Sequence, residues 1–151
     1  MIGYCDGACR VSNPGECACA FAVFYENRTQ LVHRSARYLG PELHTNNYAE
    51  FQGLLELLKW AETNKVRGLD IFCDSELVVR TSVGLWALKE PSLLPLCHMA
   101  YALLVRGNHV LQHVRGHNEN LGNEYVDKLC NEELDRRLNG QGNGKDFNAG
   151  V

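Results

Sequence analysis

The sequence predicts an α/β fold on one five-stranded mixed sheet, three antiparallel strands followed by two parallel ones, flanked by about four helices. Three observations carry this. The stretches 2–5, 17–25 and 30–39 are apolar or alternating and are separated by turn residues, which describes an antiparallel meander. From residue 45 onward apolar residues take up helical spacing, interrupted by two brief apolar runs at 69–73 and 109–114. Strands separated by helices have enough chain to cross over and pair in parallel with the first.

Taken in order, Ile2-Gly3-Tyr4-Cys5 reads as a buried strand that empties into a turn at Asp6-Gly7. Ser12-Asn13-Pro14-Gly15 is a second turn, and Glu26-Asn27-Arg28-Thr29 a hairpin connection. Gly40-Pro41 ends the meander. Thr45 is a candidate N-cap for a helix in which Phe51, Leu54, Leu55 and Leu58 mark the core face, with Trp60 as core packing. Gly68 closes that helix, the run 69–73 is a buried strand ending at Asp74, and Ser75 opens a second helix broken near Gly84. Pro91 suits the first turn of a third helix over 93–104, with Arg106-Gly107-Asn108 as its stop. A last strand is expected over 109–114 and a final helix over 124–138. Residues 139–151, rich in Gly and Asn and without periodicity, are expected as a flexible tail to a single domain spanning 1–138.

At 151 residues the chain suits one hydrophobic core. No stretch approaches the roughly 20 apolar residues of a membrane helix. No export signal is recognisable either, so an intracellular protein is expected. The seven cysteines follow no paired Cys-x-x-Cys zinc spacing, and their odd number argues against a disulfide framework. They read as buried or half-buried thiols, with Cys17 and Cys19 on one face of a strand. A net charge of −3, with no run of lysines or arginines, does not advertise a nucleic-acid binder.

Acids at the ends of elements are the chemically informative residues. Asp6 and Asp74 each follow a strand, and parallel neighbours place both at one edge of the sheet, where open α/β sheets bind ligands. Glu50 lies about one turn into the helix capped by Thr45, and Asp127 near the start of the last helix. Each has an ordinary explanation, a turn acid for Asp6 and helix-dipole preference for the helical ones. Four together need another. Crowded carboxylates raise one another's pKa unless cations sit among them, and hard divalent ions take such oxygen ligands. Two ions about 4 Å apart can clamp the attacking water and leaving oxygen of a phosphodiester.

The residues around the acids make a family visible. Asp6-Gly7-Ala8 with Asn13-Pro14-Gly15, Thr45-Asn46-Asn47-Tyr48-Ala49-Glu50, Asp74-Ser75-Glu76-Leu77-Val78-Val79, and Val114-Arg115-Gly116-His117 with Gly122-Asn123-Glu124-Tyr125-Val126-Asp127 together resemble type 1 ribonuclease H. The resemblance covers roughly residues 1–137 in the family's order. It implies a ribonuclease H-like fold and an endoribonuclease that hydrolyses the RNA strand of RNA–DNA hybrids, leaving 5′-phosphate and 3′-hydroxyl ends. It implies two magnesium or manganese ions held by Asp6, Glu50, Asp74 and Asp127, no organic cofactor, and a monomer. Asp6 is then the ligand shared by both ions, Asp74 lies beside the attacking water, and Glu50 also reads a 2′-OH. His117, in its glycine-flanked turn, resembles the family's mobile histidine, whereas His33, His44, His98 and His109 read as surface or core histidines.

For the substrate, the resemblance places backbone around Gly7, Ala8 and Asn13 on RNA 2′-hydroxyls, with Asn46 and Asn47 between the strands. Thr45 serves there as a donor at a helix N-terminus or as a cap alone. Glu76 stands where many relatives carry an uncharged residue, and Leu43 and His44 where some carry an arginine. The first turn holds one extra residue before Asn13. Gly84-Leu85-Trp86 with Lys89 and Pro91 resembles the compact subgroup that lacks the basic protrusion and the hybrid-binding domain. Trp86 either packs under the DNA-strand channel or fills core. Competing expectations are a non-catalytic nucleic-acid-binding domain on the same fold and a related DNA-acting nuclease.

Overall fold

A nine-residue strand, β1 (Ile2–Arg10), forms the middle of a five-stranded sheet in a computed structural model that describes residues 1–27, 29–114 and 121–150, with side chains through 139. β2 (Glu16–Phe24) and β3 (Leu31–Tyr38) follow as an antiparallel meander on one side of β1. β4 (Asp70–Cys73) pairs in parallel with the other side, and β5 (Val110–His113) in parallel with β4. The strand order is therefore β3-β2-β1-β4-β5, the expected three antiparallel and two parallel strands. Between them lie α1 (Asn46–Thr63), α2 (Glu76–Ser82), a 3₁₀ turn at Pro91–Leu93 that leads into α3 (Leu94–Gly107), and α4 (Leu121–Gly150).

The period-2 rule divides the sheet into two cores. Cys5, Phe21, Val23, Ile71, Cys73 and Leu111 face a layer built from α1, α2 and α3, where Phe51, Leu54, Leu57, Val78 and Cys97 are buried. Ile2, Tyr4, Ala20, Ala22 and Phe24 face the opposite way, onto Val126, Leu129 and Cys130 of α4. Tyr4 stacks on Phe72 and meets Phe24 edge-on in that second layer. β1 is thus covered on both faces, which explains why its first seven residues after Met1 carry so little polarity apart from Asp6.

Several boundaries differ from those expected. β1 does not stop at Asp6; it continues to Arg10, each residue paired with β2. The Asp-Gly dipeptide reads locally as a turn, but the ladder to β2 holds it extended. Cys9 and Cys17 lie directly opposite in that ladder, with Cα atoms 4.0 Å apart, and are joined as a disulfide rather than remaining thiols. Alternation alone shows which face a cysteine takes; the cross-strand partner depends on the length of the intervening turn. Cys5, Cys19, Cys73, Cys97 and Cys130 are free and buried, as expected. α4 begins at Leu121 and its backbone continues to Gly150, across the stretch read as a tail; that stretch carries no apolar stripe by which a helix is recognised.

Two glycines fix the distance between α1 and β1. A Cβ on Gly7 would collide with the backbone of Ala49 and Glu50, and one on Gly53 with the carbonyl of Asp6. Without those side chains the helix settles directly on the strand. Alanine in place of a helical glycine ordinarily stabilises by roughly 1 kcal/mol. We expect Gly53→Ala to do the reverse, lowering the urea midpoint of unfolding; a midpoint equal to or above the wild type's would contradict the packing described.

Candidate active site

Four separate elements deliver the four acids. The parallel ladder between β1 and β4 ends at Cys5↔Cys73, so Asp6 and Asp74 occupy the next pair of positions along the two strands. β1 runs on against β2, with Asp6 opposite Ala20, while β4 has stopped. Beyond Cys5, β1 therefore presents a bare edge on its β4 side. Glu50 enters this gap from the first turns of α1, whose start is set by Thr45: its Oγ1 accepts the Tyr48 N–H at 3.2 Å. Asp74 is turned off the strand by Ser75, whose Oγ accepts the Val78 N–H and caps α2. Asp127 stands nearly two turns into α4, on the layer toward which Asp6 points.

Burial and charge make this a strained electrostatic centre. Asp6 is only 3% exposed. Its carboxyl is pushed well above the ordinary aspartate range, first by burial and then by the negative charges of Asp74, Glu50 and Asp127. The Gly7 N–H, donating to Asp6 Oδ1 at 2.9 Å, opposes that rise without cancelling it. Glu50 is raised to about 9 by burial, then by Cys73, Asp74 and Asp127. Among the described residues no lysine or arginine forms an ion pair with any of the four.

The donor set fits a divalent cation. Oxygen ligands from convergent carboxylates are what hard ions take, and a cation relieves the repulsion just described. Glu50 Oε2 is shielded from solvent and has no hydrogen-bond partner among the described residues, so it is oriented but unsatisfied. Ligand atoms of Glu50 and Asp74, with the sulfur of Cys73, lie within 4.8 Å of one another.

Other expected residues surround this centre. Asn46 Oδ1 accepts the Cys9 N–H on the bare edge of β1 at 3.2 Å, and Asn46 N–H donates to Asn13 Oδ1 at 3.0 Å. A two-bond bridge between Gly15 and His44 reinforces the same junction. The β1–β2 turn and the start of α1 are thus tied together beside Gly7 and Ala8. Thr45 is a cap, as above. Asn47 lines an open groove with Leu77, Leu85, Trp86 and Lys89. Trp86 is 45% exposed there, with the Arg80 guanidinium 5.9 Å from its ring centre, so it is groove rather than core. Glu76 is paired with Arg80 one turn on, at 3.2 Å, which offsets its added charge. His117 lies outside the described residues.

Two neighbours of the centre carry no sequence signal of their own. His113 lies opposite Cys73 in the β4–β5 register, with Nε2 3.2 Å from the Asp74 carbonyl oxygen. Cys73, read only as the end of a strand, brings a thiol to the acids. A cysteine directly before a candidate ligand was the available hint; register supplies the rest.

A mixed sheet on whose central strand one buried acid is met by three others from neighbouring elements is the architecture of a ribonuclease H-type hydrolase. Residues 1–135 match the family model described as RNase H, and the chain belongs to that family. It is similar to the crystal structure of RNase H1 from Halobacterium salinarum NRC-1, with 30% identity and a TM-score of 0.76 over 88% of this chain and 96% of that one. It is likewise similar to LC11-RNase H1 from compost, solved with an RNA/DNA hybrid, at 29% identity and a TM-score of 0.78 over 91% and 98%. The N-terminal RNase H domain of Rv2228c from Mycobacterium tuberculosis gives 28% identity and a TM-score of 0.80 over 93% and 96%. Against the whole Rv2228c, called a bifunctional protein, identity is 30% over 86% of this chain but only 34% of the relative, so the chain spans about a third of that protein. No helix among the described residues is long and apolar enough to cross a membrane.

The raised carboxyls set the direction of a pH effect. A group whose pKa is raised by folding keeps its proton in the folded chain where the unfolded chain has lost it. For Glu50 the stabilisation is full below its ordinary 4.5 and is lost as pH rises toward about 9; Asp6 adds in the same direction. In EDTA the melting temperature should therefore fall across that window, less steeply in Glu50→Gln. A rise in melting temperature through the window would contradict the burial described.

Proposed function

We propose that this chain is an endoribonuclease that hydrolyses the RNA strand of RNA–DNA hybrids with two divalent ions, magnesium or manganese, leaving 5′-phosphate and 3′-hydroxyl ends. The single observation that supports it most is the convergence of Asp6, Glu50, Asp74 and Asp127, from four elements, with Asp6 feeling all three others. Membership of the RNase H family and the likeness to LC11-RNase H1, solved with a hybrid, support the substrate class.

In this reading, Asp6 would be the ligand common to both ions, and Glu50, Asp74 and Asp127 would help to hold them. When bound, the ions supply Lewis-acid chemistry at the scissile phosphate. The chain's own residues do the remainder. Asp74, turned off the end of β4, orients the attacking water; Glu50, at the start of α1, also receives the neighbouring 2′-OH. His117 moves the proton and assists product release. The bare edge of β1 at Gly7 and Ala8, with Asn13, contacts the RNA sugars, where a 2′-OH distinguishes RNA from DNA. Because Asn46 Oδ1 is committed to the Cys9 N–H, Asn46 offers the substrate its amide donors. Thr45 and Asn47 flank it at the helix start, and the groove lined by Trp86 takes the DNA strand, with Glu76 nearby at the start of α2. Residues 1–138 are sufficient as the catalytic domain. All four acids come from one copy, which supports a monomer, and hybrids arise inside cells, which supports an intracellular location.

One assay separates this from a DNA-acting nuclease or a non-catalytic module. With magnesium or manganese the protein should cut labelled RNA–DNA hybrid and spare duplex DNA and duplex RNA; EDTA should abolish cutting. No cleavage of hybrid with either ion would sink the enzymatic reading. Asp6→Asn and Asp74→Asn should each abolish hydrolysis with the fold intact, Asp6→Asn melting higher than wild type in EDTA, while His117→Ala should only slow turnover. Normal cutting by Asp6→Asn would show that the acids serve something else. Hybrid binding should weaken as salt rises, linearly in log–log form; salt-independent binding would exclude phosphate contacts.

A further inference from the structure

Cys73 has no part in the proposed reaction, yet its thiol stands among the acids. Its sulfur and one carboxylate oxygen each of Glu50 and Asp74 lie within 4.8 Å of one another. The three reach that point from different directions. Cys73 is the fully buried last residue of β4, facing the α1 layer with Ile71; its thiol donates to that of its β1 register partner Cys5, and its sulfur accepts the Ser75 N–H. Glu50 comes from α1, and its Oε2 is shielded from solvent and has no hydrogen-bond partner among the described residues. Asp74 is half-buried and directly follows the end of the β1–β4 ladder.

One sulfur and two carboxylate oxygens are a poor set for magnesium, which takes oxygen alone. They suit zinc, a borderline-soft ion that binds Cys, Asp and Glu in tetrahedral sites and needs no redox partner. Three protein donors leave the fourth tetrahedral position for water. We propose that Cys73, Glu50 and Asp74 form a zinc site that overlaps the catalytic carboxylates, so that zinc inhibits by withdrawing Glu50 and Asp74 from the hard ions. On binding, the Cys73 thiol releases its proton to solvent and donates the sulfur lone pair to the ion; no electron is transferred. Zinc binding rests on the cluster alone. Its inhibitory consequence rests on the function proposed above.

Cadmium serves as the probe, because its bond to a thiolate absorbs in the ultraviolet by charge transfer. Titrated into the metal-free full chain, it should give that band with saturation at one equivalent. The band should be lost in Cys73→Ala and kept in Cys130→Ala, a buried thiol that also borders the acids. Glu50→Gln, which leaves the thiol in place, should move the titration to higher cadmium. Persistence of the band in Cys73→Ala, its absence in the wild type, or an unmoved titration in Glu50→Gln would each overturn the site. In magnesium, zinc should inhibit wild-type hybrid cleavage at lower concentration than it inhibits Cys73→Ala; equal sensitivity would overturn the inhibitory claim. If the wild type cuts no hybrid at all while the cadmium band forms, the proposed reaction fails and the site stands.

Discussion

Repulsion between the buried carboxylate of Asp6 and the more exposed acids around it is the constraint on which this structure turns. Asp6 sits in the central strand of the sheet, where an unpaired charge is expensive to desolvate, and three more acids are brought toward it. Folding alone gains nothing from that arrangement. Everything near it works to hold the acids together regardless. β2 clamps β1 on one side, α1 and α4 cover its two faces, and the Gly7 N–H supplies the direct compensation to Asp6.

The early end of β4 turns this cost into a site. Had β4 continued as far as β1, Asp6 would be enclosed between two ladders with no route for a ligand. Because it stops at Cys73, the next residue of each strand faces an opening, and helices from both layers can reach into it. The same bare edge gives Asn46 the Cys9 N–H as a hydrogen-bond partner, and so couples the carboxylate centre to the turn that carries Asn13. The carboxylate centre and the β1–β2 turn are thereby tied together, stapled further by the Cys9–Cys17 disulfide. Pre-organisation of this kind suits phosphoryl chemistry, in which positioning and electrostatics do most of what a protein contributes.

Much of this was legible in advance. The meander, the alternation of helices with later strands, the Thr45 cap and the grouping of four acids follow from local rules: residue periodicity, capping chemistry and the preference of acids for ends of elements. Glu76 and Trp86 show where such rules run out. Whether an added carboxylate is a burden depends on the Arg80 beside it, and whether a tryptophan is core or groove depends on how the chain leaves α2. Neither is a property of the residue.

By itself, then, the sequence determined the order and type of the elements and the identity of the acids, because these depend on neighbours within one or two turns. Only the tertiary structure decided that β1 passes through Asp6 without turning, that Cys9 bonds to Cys17, and that Cys73 and His113 stand beside Asp74. Those outcomes depend on register between strands far apart in the chain, and register is fixed by the summed packing of both layers rather than by any local pattern. Asp6 read alone is a turn acid; set in the middle of β1, one residue past the end of β4, it becomes the centre of the site.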